Sequence, residues 1–387
     1  MIPYGCQNIN QADIDAVVAV LRSDFLTQGP AVPAFEEAVA KQCGAQHAVA
    51  VNSATSALHI ACLALGVSKG DIVWTTPTTF VASANCALYC GATVDFVDID
   101  PRTYNMSVDR LAEKLAEAEK ISKLPKVVIP VHLCGQPCDM SGINKLSQQY
   151  GFKILEDASH AIGGKYQGDP IGNCRFSDIT VFSFHPVKII TTGEGGMVVT
   201  NNAILAKHLR LLRSHGISSA AADMQSRPAQ EIWNYQQIDL GFNYRMTDIQ
   251  AALGLSQMVR LDEFVTKRHA IAQRYDELLS ELPLLTPHQH ADGYSAYHLY
   301  VIRLKLAEFN KTQRQIYKAL HAADILVNLH YIPVYRQPYY EKMGFTTGYC
   351  PQAEQYYAEA ISIPLYPGLT ESQQDQVVAV IREAVSA

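Results

Sequence analysis

The first half of the chain alternates short β-branched runs with longer segments of helical periodicity, and this rhythm constrains the fold more than any other feature. Strands separated by helix-length segments are typical of a mostly parallel sheet with helices on both faces. The sequence therefore predicts an α/β domain whose ligands bind at the carboxyl ends of the strands. The strand candidates are residues 48–51, 72–74, 94–99, 127–131, 153–155 and 179–184.

The pattern changes near residue 255, where we predict the boundary between two domains. The preceding residues 1–255 form the large α/β domain, and residues 256–387 form a smaller α+β domain. In and around the second domain we predict a single long helix, a strand and two further helices, at residues 249–279, 297–304, 311–322 and 371–385.

Composition excludes several functional classes. The chain has 387 residues, of which 48% are hydrophobic and 18% charged, so it can bury a large core. Its net charge of -6 leaves no basic excess to bind nucleic acid. The most apolar stretch, residues 80–99, is interrupted by polar side chains, and no secretory signal is visible at the N-terminus. We therefore expect a soluble cytoplasmic protein with neither nucleic-acid nor membrane partners.

The nine cysteines include two pairs with three intervening residues, Cys86 with Cys90 and Cys134 with Cys138. Such spacing is compatible with a metal site or a disulfide. Buried reduced thiols are commoner in a chain of this size without a signal peptide. We therefore expect no metal.

Two charged residues follow apolar strands in the middle of the chain. Asp157 comes directly after the strand at 153–155, and Lys188 follows the strand at 179–184. A lysine can form a Schiff base with an aldehyde, and a carboxylate can keep a heterocyclic nitrogen protonated. This pair is what pyridoxal 5′-phosphate requires, although spacing alone favours a structural ion pair.

Other segments offer candidate groups for binding the cofactor's phosphate, stacking on its ring and letting the backbone approach it closely. The hydroxyls and N–H groups of residues 52–56 stand at a predicted helix N-terminus, where they favour a phosphate or form an ordinary helix cap. Phe80 is a candidate to stack on the ring or to lie in the core, and Ser183 is a candidate phosphate ligand. Three glycines at 193–196 permit a tight chain path after Lys188.

These segments together resemble the DegT/DnrJ/EryC1/StrS sugar aminotransferases. The resemblance extends over essentially the whole chain and implies a fold-type I pyridoxal-phosphate enzyme with a seven-stranded, mostly parallel sheet. The matching stretches are residues 26–30, 52–58, 95–100, 157–160, 183–188, 193–196 and 241–254.

The resemblance also implies roles for individual residues in holding the cofactor. Lys188 would carry the Schiff base and move protons, while Asp157 would pair with the pyridine nitrogen. Phe80 would stack on the ring, and His160 would approach the ring hydroxyl or the opposite face. The phosphate would be bound by the N–H of Ala54 and by the side chains of Thr55 and Ser183.

Asn243 would reach the phosphate of the neighbouring subunit, which implies a homodimer with active sites at its interface. Its alternative role is the N-cap of the helix before Ile249. Much of the family has glycine where this chain has Ala54, and many members have glutamine in place of His160, which leaves the role of position 160 open.

Within the family the chain is most similar to the branch that serves pseudaminic acid biosynthesis. This implies transfer of nitrogen from L-glutamate, through pyridoxamine phosphate, to C4 of a UDP-linked 4-keto-6-deoxy-N-acetylhexosamine, with 2-oxoglutarate released. Substrate contacts are expected from Tyr4, Arg245, His330 and Tyr331. The alternative for each is that it is a surface or packing residue with no substrate contact.

Three alternatives stay open. The first is the same chemistry on the keto-sugar of the bacillosamine pathway. The second is a sugar dehydratase of the same family, but such enzymes carry histidine where this chain has Lys188. The third is a non-catalytic relative, which would have lost Lys188 and Asp157.

Overall fold

The computed structural model describes residues 1–226 and 231–386, and its central feature is a seven-stranded sheet. The strands in chain order are β1 (His47–Val51), β2 (Ile72–Thr75), β3 (Thr93–Phe96), β4 (Val127–Ile129), β5 (Lys153–Asp157), β6 (Lys165–Tyr166), β7 (Asp169–Pro170), β8 (Ile179–Ser183), β9 (Gly196–Thr200), β10 (Ile217–Ser218), β11 (Gln236–Gln237), β12 (Leu284–Leu285), β13 (Gly293–Tyr294), β14 (Tyr300–Leu304) and β15 (Ala360–Ile363).

The helices surround this sheet and a smaller C-terminal one. In chain order they are α1 (Gln11–Leu21), α2 (Ala31–Cys43), α3 (Ala54–Ala64), α4 (Ala82–Tyr89), α5 (Val108–Lys120), α6 (Met140–Tyr150), α7 (Ala203–Arg213), α8 (Asp248–Met258), α9 (Leu261–Leu279), α10 (Gln313–Ala322), α11 (Pro338–Glu341), α12 (Pro351–Glu359) and α13 (Glu371–Ser386).

The large sheet has the strand order β1-β9-β8-β5-β4-β2-β3. Strands β3, β2, β4, β5 and β8 run parallel to one another, whereas β9 is antiparallel to both β8 and β1. This confirms the expected mostly parallel, seven-stranded sheet flanked by helices. The strand missing from the sequence candidates is β9, which begins with the glycine that ends the 193–196 segment.

Apolar side chains are buried on both faces of the sheet. Successive side chains of a strand point to opposite faces, and neighbours in one strand therefore belong to different apolar clusters. In β4, Val128 packs in one apolar cluster, while Val127 and Ile129 pack in another. Covering both faces with helices leaves only the strand ends open, so polar side chains placed there can reach a ligand.

A smaller antiparallel sheet of β12, β14 and β15 lies in the C-terminal part of the chain. A third apolar cluster covers it, and Ile2 belongs to this cluster. Backbone hydrogen bonds join Ile2 to Asp324 and Leu326. The N-terminus thus pairs with the C-terminal part of the chain, and the boundary near residue 255 stays a prediction.

The predicted single helix over residues 249–279 is wrong, because two helices occupy this stretch. Helix α8 ends at Met258 and α9 begins at Leu261. Arg260 between them has φ -106° and ψ 7°, and its guanidinium donates to Asp13. The apolar pattern carries a five-residue step from Leu253 to Met258, which an unbroken helical face does not accommodate.

Within residues 1–226 and 231–386, no helix combines the length and apolarity needed to cross a membrane. The same residues contain no cluster of three histidine, cysteine or carboxylate side chains arranged for a metal ion. All nine cysteines are free thiols, six of them buried.

Candidate active site

The two charged residues singled out in the sequence face one cavity at the carboxyl edge of the large sheet. Asp157 is the last residue of β5, and Ser183 is the last residue of its parallel neighbour β8. Lys188 stands in the loop after β8. All three line a cavity of about 680 Å³. The sheet topology therefore brings the amine and the carboxylate together.

A short hydrogen-bond network fixes the carboxylate of Asp157. The hydroxyl of Ser83 donates to Oδ2 at 2.6 Å, and Ser159 donates to Oδ1 through both its hydroxyl, at 2.6 Å, and its N–H, at 3.1 Å. The hydroxyl of Thr79 in turn lies 2.8 Å from that of Ser83. These bonds hold a buried acceptor in place at the cavity.

Lys188 forms no ion pair with any carboxylate of the described residues. Burial lowers the pKa of its amine to about 8, and the charge of Asp157 opposes this shift without cancelling it. A lysine with a depressed pKa is a nucleophile near neutral pH, because a larger fraction of it is uncharged.

The N-terminus of α3 forms a second wall of the cavity. Ser53 caps the helix by accepting from the N–H of Ser56 at 3.1 Å. The N–H groups of Ala54 and Thr55 have no partner among the described residues, and both residues line the cavity. Free N–H groups at the positive end of a helix form an anion site.

Gly196 lets strand β9 approach this helix end closely. A Cβ at position 196 would lie 2.6 Å from the carbonyl carbon of Ser53 and 2.7 Å from the nitrogen of Ala54. Ala54 itself is the first helical residue and does not have a positive φ. The loop therefore has no need of glycine at position 54.

Aromatic and imidazole side chains form the remaining wall. Phe80 is 58% exposed although it lies on the cavity, so its ring is available to stack on a ligand. His160 is buried, and its ring centroid lies 4.3 Å from that of His298. Burial lowers the pKa of His160 well below its usual value, with further contributions from its neighbours Lys188 and His330.

Three of the four residues proposed to contact the substrate also line this cavity: Tyr4, His330 and Tyr331. The Tyr4 and His330 rings lie 5.4 Å apart. Burial lowers the pKa of His330 to about 3, with a further contribution from the charge of Lys188. His330 is therefore a neutral hydrogen-bonding group at physiological pH.

Asn243 and Arg245 do not line the cavity of this chain. Asn243 is exposed, and a guanidinium nitrogen of Arg245 donates to the hydroxyl of Ser214 at 3.1 Å. Between them, the carbonyl of Tyr244 accepts from the N–H of Asn52, so this segment lies against the loop before α3.

The alternative role of Asn243 as a helix N-cap is wrong. Helix α8 begins at Asp248, and the residue before it, Thr247, forms a complete capping box with Gln250. Asn243 lies four residues outside that cap. The signal was present in the sequence, because threonine followed three residues later by glutamine is the usual capping pattern.

Sequence reasoning missed several cavity residues. Ser159 follows Asp157 by two residues, a spacing at which a serine readily bonds a nearby carboxylate. No local signal marks Ser83, Thr79 or His298, because they reach the site from distant parts of the chain. Asn328 also lines the cavity, and its amide lies 3.4 Å from Nε2 of His330.

The cavity fits pyridoxal 5′-phosphate on structural grounds. It offers an amine with a depressed pKa, a fixed buried carboxylate, an exposed aromatic ring and unpartnered N–H groups at a helix N-terminus. A Cβ added at Gly196 would overlap the backbone of Ser53 and Ala54, so the chain is closely packed around these N–H groups. A structural ion pair between Lys188 and Asp157 is absent from the described residues.

Sequence relatives extend over almost the whole chain. The spore coat polysaccharide biosynthesis protein SpsC of Bacillus subtilis is 40% identical over 99% of this chain and 97% of its own. A UDP-4-amino-4,6-dideoxy-N-acetyl-beta-L-altrosamine transaminase of Campylobacter jejuni is 39% identical over 95% of this chain and 93% of its own.

Solved structures agree with this likeness. PseC of Helicobacter pylori, an aminotransferase of pseudaminic acid biosynthesis, superposes with a TM-score of 0.90 at 32% identity, covering 100% of this chain and 99% of its own. A sugar aminotransferase, Spr1654 of Streptococcus pneumoniae, has been solved with pyridoxal phosphate; its TM-score is 0.88 at 28% identity, with coverage of 100% and 98%.

The model of the DegT/DnrJ/EryC1/StrS aminotransferase family matches residues 7–382. With the fold and the cavity described above, this match identifies a fold-type I enzyme that uses pyridoxal phosphate. The chain belongs to the DegT/DnrJ/EryC1/StrS aminotransferase family.

Proposed function

We propose that the protein transfers an amino group from L-glutamate to C4 of UDP-2-acetamido-2,6-dideoxy-beta-L-arabino-hex-4-ulose, as a step of pseudaminic acid biosynthesis. The observation that carries the chemistry is the single cavity in which the amine of Lys188 and the fixed carboxylate of Asp157 meet. The names of the Campylobacter relative and the Helicobacter structure support the choice of sugar.

Bound pyridoxal phosphate supplies an electron sink for the carbon that loses its proton. Lys188 is the proposed general acid and base, which holds and moves that proton at Nζ. Asp157 is proposed to accept a hydrogen bond from the pyridine nitrogen, for which Ser83 and Ser159 hold its carboxylate in place.

The remaining cavity residues are proposed to bind and orient. The N–H of Ala54, with the side chains of Thr55 and Ser183, would hold the phosphate group, and Phe80 would cover one face of the ring. His160 would approach the ring from the other side. These side chains all line the cavity, which supports a common ligand.

The sugar nucleotide needs contacts that one chain supplies only in part. Tyr4, His330 and Tyr331 are proposed to contact the sugar. The cavity of a single chain has no arginine among its described lining residues to meet a diphosphate. We therefore propose a homodimer, in which Asn243 and Arg245 reach the site of the neighbouring subunit.

A second candidate substrate is the UDP-4-keto sugar of the bacillosamine pathway, which undergoes the same chemistry. The Bacillus relative supports keeping a second substrate under consideration. Its identity of 40% is as high as the 39% of the Campylobacter protein, and its name specifies only spore coat polysaccharide biosynthesis. The dehydratase alternative is disfavoured, because Lys188 is present and faces the cavity.

The test is to incubate the protein with pyridoxal phosphate, glutamate and each UDP-4-keto sugar, and to identify the products by NMR. We expect a 4-amino sugar with the altro configuration and stoichiometric 2-oxoglutarate. The variant Lys188→Ala should form neither while keeping the wild-type circular dichroism spectrum. A product that has lost a hydroxyl group and gained no amino group at C4 would identify a dehydratase, and full activity of Lys188→Ala would refute the assignment.

A further inference from the structure

A tight turn lies behind His160 in the cavity wall. It is the 3₁₀ turn Leu133–Gly135, in which Cys134 has φ 61° and Gly135 has φ 94°. A Cβ at Gly135 would lie 2.9 Å from the carbonyl oxygen of His160 and 3.1 Å from the nitrogen of His298. The turn is therefore pressed against the backbone of both histidines, in a conformation unusual for a residue such as Cys134.

This turn aims a backbone donor at the imidazole. The N–H of Cys134 donates to Nδ1 of His160 at 3.3 Å. A ring nitrogen that accepts a hydrogen bond carries a lone pair, so a neutral His160 has its hydrogen on Nε2. That nitrogen lies 3.2 Å from the hydroxyl oxygen of Tyr331. The adjacent ring of His298 restricts rotation of the imidazole.

We propose that the turn Leu133–Gly135 holds His160 as an uncharged donor at Nε2, so that Tyr331 presents its own hydroxyl hydrogen to the cavity. Tyr331 accepts from His160 and is left with one hydrogen to donate. An oxygen of the bound ligand is the acceptor, either the carbonyl oxygen of the keto-sugar or the ring hydroxyl oxygen of the cofactor. The donation from Tyr331 to a ligand oxygen rests on the proposed function, whereas the tautomer of His160 does not.

The groups around His160 disfavour its charged form. They are the amine of Lys188 and the imidazoles of His298 and His330, while no carboxylate among the described residues pairs with it. Burial is the largest cause of the lowered pKa of His160. The sulfur of Cys134 has no part in the argument, since only its N–H is used.

The tautomer can be measured without cofactor or substrate. The protein is labelled with ¹⁵N-histidine, and His160→Gln identifies the His160 signals among those of the 13 histidines. Between pH 6.5 and 8 we expect an unprotonated Nδ1 and a protonated Nε2, in the wild type and also in Tyr331→Phe. A protonated Nδ1, a charged ring, or a tautomer that changes in Tyr331→Phe would overturn the proposal.

A pair of glycine variants tests the turn itself. Gly135→Ala should shift or broaden the His160 signals, because its Cβ meets the His160 carbonyl. The control is Gly70→Ala, since Gly70 has φ 95°, nearly that of Gly135, but no atom within 4 Å of the added Cβ. Both variants place a side chain at a positive φ of nearly the same value. Unchanged His160 signals in a folded Gly135→Ala would show that the turn does not position the ring.

Kinetics of the loaded enzyme then test the donor. Glutamine can accept from Cys134 and donate to Tyr331, so His160→Gln should retain at least ten times the kcat of His160→Leu. Tyr331→Phe should lower kcat/KM for the keto-sugar at least tenfold if the sugar oxygen is the acceptor. If the cofactor oxygen is the acceptor, it should instead shift the cofactor absorbance and Kd. The role of Tyr331 would be refuted if Tyr331→Phe left kcat/KM, the cofactor absorbance and the cofactor Kd all unchanged.

Discussion

Lys188 lies where two effects act on its amine in opposite directions. Burial disfavours the ammonium form, and the carboxylate of Asp157 favours it. Burial is the larger effect, so the pKa falls to about 8, and the amine is partly neutral at physiological pH. A fully paired lysine would be a poor nucleophile. In this cavity the carboxylate accepts from Ser83 and Ser159 and forms no ion pair with Lys188 within the described residues.

The first prediction concerns the pH dependence of cofactor capture by the cofactor-free protein. Only the neutral amine of Lys188 attacks an aldehyde, so the rate should rise about tenfold per pH unit below the pKa and level off above it. The midpoint should lie near pH 8. Stopped-flow absorbance after mixing with pyridoxal phosphate measures this profile.

Asp157→Asn should move the midpoint to lower pH, because it removes the charge that favours the ammonium form. Ser159→Ala is the control, since it removes a hydrogen bond but keeps the carboxylate. A midpoint near the ordinary lysine value, or an upward shift in Asp157→Asn, would contradict the assignment of burial as the dominant cause.

Among the elements, α3 and β9 meet at the proposed anion site. The second prediction is that Gly196→Ala lowers the free energy of unfolding by about 1–3 kcal/mol, because its Cβ overlaps the backbone of Ser53 and Ala54. It should also weaken pyridoxal-phosphate binding at least tenfold by displacing the N–H groups of α3. Urea unfolding and absorbance titration measure the two effects.

Gly368→Ala is the matched control, because Gly368 also has an ordinary φ and the nearest atom to its added Cβ is 3.9 Å away. It should leave both quantities unchanged. Wild-type cofactor affinity in Gly196→Ala would show that the α3 terminus is not the anion site.

The third prediction separates a structural from a functional residue at the start of α8. Thr247→Ala removes the side-chain acceptor of the capping box, while the backbone N–H at position 247 can still donate to Gln250, and should lower the free energy of unfolding by about 1 kcal/mol. Asn243→Ala should leave stability within measurement error, since Asn243 is exposed outside the cap, but it should reduce transamination. Chemical denaturation and a 2-oxoglutarate assay compare the pair, and the reverse pattern would restore Asn243 as the cap.

The elements also show where a local pattern is ambiguous. Six apolar runs were enough to locate the parallel strands, because burial on both faces requires continuous β-branched segments. At 249–279 the five-residue step was the one local sign of the break, and it was outweighed because α8 and α9 each present an apolar stripe. Arg260, between the two helices, pairs with Asp13 from the N-terminal helix α1, a contact that no local pattern shows.

At the scale of the whole molecule, the cavity draws on residues from across the chain. Tyr4 comes from the N-terminus, where its carbonyl accepts from Leu365, and His330 comes from the C-terminal part. Asp157 and Lys188 come from the large sheet. A site assembled in this way depends on the packing of both parts of the chain.

The fourth prediction tests the proposed assembly. If Asn243 acts across subunits, mixing Lys188→Ala with Asn243→Asp chains should produce hybrid dimers with one intact site. Random pairing makes half of the dimers hybrid, so roughly a quarter of the wild-type activity should return. Refolding equal amounts of the two inactive variants together and assaying 2-oxoglutarate measures the recovery.

Each variant refolded alone is the control and should stay inactive. No recovery in a mixture whose hybrid dimers are verified by native mass spectrometry would mean that each site is complete within its own chain.

The sequence alone determined six of the seven strands of the large sheet, the two residues at its carboxyl edge and the helix N-terminus at α3. These features depend on local periodicity, strand ends and helix caps, which neighbouring residues specify. The tertiary structure decided which distant groups surround them: Ser83 on the carboxylate, His298 beside His160, and the N–H of Cys134 on its ring. Such contacts join residues far apart in the chain, and no local pattern encodes their distance or direction.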